Sequence, residues 1–176
     1  MKSRLSLFLV LGAALALAGC NNNRVVLCPS AAILADTATE TVFRPGAPAE
    51  LSGEAFTAYL VNVSTQCTFD PKVGRTVSTL DLSFRAVRPP SPDAATYSLP
   101  YFVAVNQAER VISKQMMTVR FVFAPGATVA TADETQPSLQ LDLENGHQPN
   151  EYQLLSGFQL TDAQRAYNQK MGRYLP

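Results

Sequence analysis

Thr79-Leu80-Asp81-Leu82-Ser83-Phe84-Arg85-Ala86-Val87 decides the fold. Leu80, Leu82, Phe84 and Ala86 alternate strictly with Thr79, Asp81, Ser83 and Arg85. A period of two sends the two sets to opposite sides of an extended chain, so one side is buried and the other is in water. Upstream, Tyr59, Val61, Val63, Thr65, Cys67 and Phe69 share one parity, predicted inward, with Asn62 and Ser64 outward. Downstream, Tyr97–Val105 reads as a strand that Pro100 marks as an edge or a bulge. Asn106–Glu109 is a turn into Arg110–Phe123, where Met117, Val119, Phe121 and Phe123 share a face and a bulge is expected before Lys114. Leu139, Leu141 and Leu143 alternate with Gln140, Asp142 and Glu144; Leu154 belongs to one short run, Phe158 and Leu160 to the last strand.

Between these runs lie turn-rich pieces: Arg44–Pro48, Arg88–Asp93, Ala124–Gly126 and Glu144–Asn150. They are spaced as loops within one domain. Ser30–Val42 fits a first strand, the favoured reading, or a short helix opened by Pro29. At the C-terminus Thr161 and Gln164 form a capping box; Ala163, Ala166, Tyr167, Met171 and Tyr174 follow helical spacing, and Gly172 suits a helix end. About seven short strands with turns between them predict an all-β, antiparallel β-sandwich, immunoglobulin-like or fibronectin-III-like, with a short C-terminal helix. A small closed barrel is the second choice. Tryptophan is absent, and the cysteine spacing is not that of antibody domains.

The N-terminus carries an address. Lys2 and Arg4 precede a mainly apolar run from Leu5 to Leu17, and Leu17-Ala18-Gly19-Cys20 closes it with small residues before a cysteine. This is the plan of a secretory signal whose cleavage leaves a lipidated Cys20. The run falls short of the about 20 apolar residues a spanning helix needs. The expected organisation is a signal peptide at 1–19, a lipidated tether at 20–28, a β-sandwich at 29–160 and a helical segment at 161–176. Asn21 in place of Asp after the cysteine favours the outer membrane, facing the periplasm, over retention at the inner one, by resemblance to the enteric sorting rule.

Removing 19 of the 176 residues leaves 157, enough for one domain with a real core. Of 14 basic and 14 acidic residues the signal takes two basic ones, so the mature charge is 12 against 14, or −2. Such a balance, without a Lys/Arg cluster, argues against nucleic acid and against electrostatic docking on anionic lipid. With Cys20 given to lipid, Cys28 and Cys67 remain as an even pair, read as a disulfide in an exported chain; two buried thiols are the bland alternative. The eight residues from Cys20 to Cys28 then reach at most about 28 Å, holding the domain near the membrane.

With these pieces placed, the chain resembles small lipoproteins of α-proteobacteria. The matching segments are Leu17–Cys20, Cys28-Pro29, Cys67, Tyr101–Val105, and Phe158–Thr161 leading to Tyr167-Asn168. The resemblance implies an exported, lipid-anchored β-domain, with no activity attached to the group and no catalytic residue carried over.

Catalytic sets are sparse. His147 is the lone histidine, in the turn-like Asn145–Asn150 stretch, so a zinc site or a Ser/His/Asp triad lacks its parts. No Gly-x-Ser-x-Gly occurs; Ser52-Gly53 and Ser156-Gly157 read as turn or bulge elements. Asp142 and Glu144 face the same way on a strand, an arrangement able to hold a cation or act on a glycosidic bond, but more often a solvated sheet face. Asp133-Glu134 falls in an expected Ala130–Gln136 loop with too few oxygens for calcium. Asn62-Val63-Ser64 matches a glycosylation triplet by coincidence of a strand sequence. Tyr97, Tyr101 and Phe102 beside the proline-rich loop form the one aromatic cluster that reads as a recognition surface; the bland reading divides the rings between core and surface.

The expectation is a non-enzymatic envelope lipoprotein without cofactor, bound to the membrane through its lipid and acting as a binding or scaffold module for another envelope protein. The alternatives are a small-ligand or glycan binder using the aromatic cluster, and a cell-wall enzyme using Asp142, Glu144 or His147.

Overall fold

A computed structural model describes residues 27–144 and 146–173. The signal segment, Cys20, Asn145 and Tyr174 lie outside the described residues. Eight strands follow in order: β1 (Ser30–Ile33), β2 (Thr39–Phe43), β3 (Glu54–Asp70), β4 (Arg75–Val87), β5 (Ala95–Gln107), β6 (Arg110–Phe123), β7 (Val129–Asp142) and β8 (Tyr152–Phe158), before helix α1 (Asp162–Met171). One sheet has the order β1-β8-β5-β6, the second β2-β3-β4-β7, and they form the expected sandwich, with no closed barrel. All pairs are antiparallel except β1 with β8. Three consecutive strands meander side by side in the second sheet, unlike the ABED order of antibody constant domains.

β3 and β7 are longer than predicted, β3 reaching 17 residues, because bulges let one strand serve two phases of the hydrophobic pattern. β4 has the predicted face: Leu80, Leu82, Phe84 and Ala86 are buried. In β3 the register shifts between Leu60 and Asn62. Phe56, Ala58 and Leu60 point inward before the bulge, and Val63, Thr65, Cys67 and Phe69 lean inward after it. Tyr59 therefore does not belong to the inward set, and Val61, the extra residue, is exposed. A bulge also corrects the reading of Ala130–Gln136, which is strand: Ala130 and Ala132 pack on the core, then Pro137-Ser138 shift the register so that Leu139 and Leu141 take over. The bulge expected before Lys114 is at Ile112, between Val111 and Ser113.

Pro100 lies at a local edge, as its sequence position implied: β5 pairs with β8 only over Tyr101–Gln107, so at Pro100 the strand is paired on its β6 side alone. Its carbonyl oxygen accepts from the Gln159 amide beyond the end of β8, so its missing N–H costs no ladder bond. The last runs are one strand, β8, with Tyr152, Leu154, Ser156 and Phe158 buried. Ser30–Val42 divides into β1, a 3₁₀ turn at Ala35–Thr37, and β2. Phe84 centres the core, with ring centroids of Tyr101 at 5.1 Å and Phe158 at 5.7 Å.

Helix α1 begins as predicted. The Thr161 hydroxyl accepts from the Gln164 amide at 3.3 Å, and Gly172 ends the helix at φ 66°. Its buried residues are Tyr167 and Asn168, while Ala163 and Ala166 are exposed, so the packing face is more polar than the apolar spacing implied. Asn168 Nδ2 donates to the Thr39 carbonyl at 2.6 Å, Gln164 Nε2 to Glu40 Oε1 at 3.0 Å, and the Tyr167 hydroxyl to Glu54 Oε1 at 2.7 Å. Arg173, just beyond the helix, donates to the same Glu54 oxygen at 2.8 Å. The helix thus lies along β2, the outer strand of the second sheet. No described helix is long and apolar enough to cross a membrane.

Candidate functional site

Three connections meet at one end of the sandwich: the β3–β4 turn, the β5–β6 turn and the β7–β8 loop. The chain enters at the same end, because Cys28, two residues before β1, is bonded to Cys67 near the tip of β3 with their Cα atoms 5.6 Å apart. The predicted disulfide is therefore present, and it fixes the start of the domain to its second sheet.

Local chemistry ties the loops together. Asp70 accepts from the Lys72 amide at 2.9 Å and Gly74 takes φ 63°, which shapes the turn from β3 to β4. The Gly74 carbonyl accepts from the Leu143 amide at 2.8 Å, joining that turn to the β7–β8 loop. Arg110, at the start of β6, pairs with Glu144 and joins the third connection to the same loop. Within the loop, Glu151 uses one carboxylate oxygen for His147 Nδ1 at 2.5 Å and the other for the Gln148 amide at 2.8 Å. The His147 bond, then the amide, hold the Glu151 carboxyl below its ordinary range.

Between the β3–β4 turn and this loop opens a cleft of about 670 Å³, walled by Leu27, Phe69, Val73, Leu143, His147 and Pro149. Its rim is apolar where water would be expected: Leu27 is 57 % exposed and Val73 65 %. The sequence reading singled out neither residue, since one lies in the tether and the other in a turn. Only the meeting of the two segments makes them neighbours.

The predicted carboxylate pair is divided between two partners. Asp142 accepts from Arg75 Nε at 2.5 Å, which lowers its pKa, and Glu144 is engaged by Arg110. A carboxyl held ionised by a guanidinium is the opposite of a general acid. Among the described residues no three of His, Cys, Asp and Glu gather to hold a metal ion, and Asp133-Glu134 lies along β7.

The aromatic recognition surface requires correction. Tyr101 is wholly buried, with its hydroxyl accepting from Gln136 Nε2 at 2.8 Å. Phe102 is buried on the other face of β5 under Lys114, whose Nζ stands 4.3 Å from the ring centroid. Tyr97 is half-buried and stacks on Phe56 at 4.2 Å. Tyr97 and Tyr101 point toward the core, and Phe102 on the outer face is covered locally by Lys114, although Thr96, Ser98 and Pro100 on that face are exposed. Ser52-Gly53 forms part of a 3₁₀ turn, whereas Ser156-Gly157 is regular strand.

No family model, curated protein or solved structure matches the chain.

Proposed function

We propose that the protein is lipid-anchored in the bacterial cell envelope through Cys20, at the outer membrane facing the periplasm. There it binds or scaffolds another envelope component and catalyses no reaction. The observation that carries this reading is the position of the apolar-rimmed cleft at the tethered end. Leu27 lies seven residues after Cys20, a span of at most about 25 Å when fully extended. A rim of Leu27 and Val73 there suits a partner resident at the membrane surface, and the ion pairs of Asp142 and Glu144 favour a surface built for contact over one built for turnover.

Two measurements test it. Mass spectrometry of the native chain is expected to find acylated Cys20 as the first residue; a free sulfur there overturns the anchor. A photoreactive side chain at position 73 of the full chain, in intact envelopes, is expected to give one discrete protein adduct. That adduct should be lost in a Leu27→Asp chain and absent when the probe sits at position 126, at the far end. Identical adducts from both probes, or none from position 73, overturn the binding role.

A further inference from the structure

On one flank of the sandwich both sheets end in an uncovered strand: β6 closes the first sheet and β7 the second. They run in opposite directions, β6 away from the tethered end and β7 toward it. Their charges are opposite as well. β6 carries Arg110, Lys114 and Arg120 with no acid, and β7 carries Asp133, Glu134 and Asp142 with no base.

Near the tethered end these charges are answered within the chain: Arg110 by Glu144, Asp142 by Arg75, and Lys114 by Gln159 Oε1 at 2.7 Å. In the far half, Arg120 and Asp133 have no ion-pair partner among the described residues. Nor can they reach each other. Arg120 lies between buried Val119 and Phe121, so it leaves the outer face of the first sheet. Asp133 pairs in register with Ser83 and follows the core-packed Ala132, so it leaves the outer face of the second sheet, on the opposite side of the molecule. Beside them Val122 is 61 % exposed and Val129 43 %.

We propose that this flank is an interface between two copies of the chain, related by a two-fold axis parallel to the strands, with β6 of each copy pairing with β7 of the other. The rotation lays the first sheet of one copy edge to edge with the second sheet of its partner and brings their outer faces to the same side. Directions along the axis are preserved, so the new pairs are antiparallel. Heights are preserved too: Arg120 is three residues from the end of β6 and Asp133 four from the start of β7, and the Ala124–Thr128 turn holds those strand ends level. Arg120 thus meets the partner's Asp133, twice in the pair. In that register Val122 stands opposite the partner's Thr131, diagonal to the partner's Val129. Pairing ends at Pro137, which has no N–H, and Ser138, at φ 60°. A second copy fits this flank because the strand it needs, in direction and charge, is the one it already carries. The interface stands independently of lipidation. Where Cys20 is acylated, both tethers leave the pair at the same end and enter one bilayer.

Sedimentation equilibrium of the full chain in density-matched detergent tests the interface. The wild type is expected to be a dimer. Arg120→Asp or Asp133→Arg alone should weaken association by about tenfold, and the two together should restore it. A monomeric wild type, single variants that pair as tightly as wild type, or a double variant that does not recover overturns the proposal. A second arm places cysteines at both Val122 and Thr131, which lie on opposite outer faces of one copy. Oxidation is expected to give a covalent dimer on a non-reducing gel, and its absence counts against the pairing in the same way.

Discussion

Thr37 occupies the space that a side chain on Gly157 would need: its Oγ1 lies 1.9 Å, and its Cβ 2.8 Å, from where a Cβ on Gly157 would stand. The 3₁₀ turn bearing Thr37 is bound to β8 at this point, with the Leu34 amide donating to the Ser156 carbonyl at 2.9 Å and the Thr37 hydroxyl to the Leu34 carbonyl at 2.9 Å. Gly157→Ala must lift the turn off the strand and is expected to destabilise by about 2 kcal/mol. Thr37→Gly in the same chain should recover most of that loss, and Thr37→Ala less, since it keeps the Cβ. Urea denaturation of the three variants checks the order.

Arg88 holds the far end together. It is 6 % exposed, donates from Nε to the Ala127 carbonyl at 2.9 Å and from Nη2 to the Asp93 carbonyl at 2.7 Å, and lies over the Phe123 ring at 4.7 Å. Arg88→Leu keeps bulk but leaves those carbonyls without a donor. It is expected to cost about 3 kcal/mol by denaturant titration, while the cleft beside Leu27 and Val73 remains intact.

Legibility followed the bulges. β4 and the second half of β6 were readable because an unbroken alternation names the buried face, and β6 was bounded correctly at Arg110 and Phe123. Val61 misled because one extra residue inverts every later side chain, and Pro137-Ser138 made a strand look like a loop. The helix was announced by Thr161 and Gln164, whose cap is a local interaction. Its polar packing face was not, since Asn168 and Gln164 find their partners on β2 more than 120 residues earlier. The Cys28–Cys67 bond was legible from counting. The cleft was not, because it exists only where Leu27 meets two distant loops.

Glu40 sets a dependence on pH. It is 5 % exposed, and burial pushes its carboxyl up to about 7 despite the hydrogen bond from Gln164. Unfolded, the group ionises near 4.5, so between 4.5 and about 7 the native state keeps a proton that the unfolded state has released. Stability therefore falls as pH rises through that window, by a total on the order of 3 kcal/mol above it. Glu40→Gln should be more stable than wild type above the window and equal to it below. Thermal unfolding on both sides checks the sign.

The disulfide closes a separation of 39 residues. Cys28→Ser with Cys67→Ser is expected to lower stability by about 4 kcal/mol on the chain-entropy model. Calorimetry of the variant, beside wild type with and without reductant, checks it. The variant and the reduced wild type should agree.

Asn168 and its neighbours close the β2 rim, and β1, at the opposite rim of its own sheet, offers only four residues. A strand arriving from another molecule finds at most that four-residue ladder on that flank. Chains that join through β6 and β7 accordingly stop at two, and the C-terminal helix is what keeps a pair from growing into a fibre.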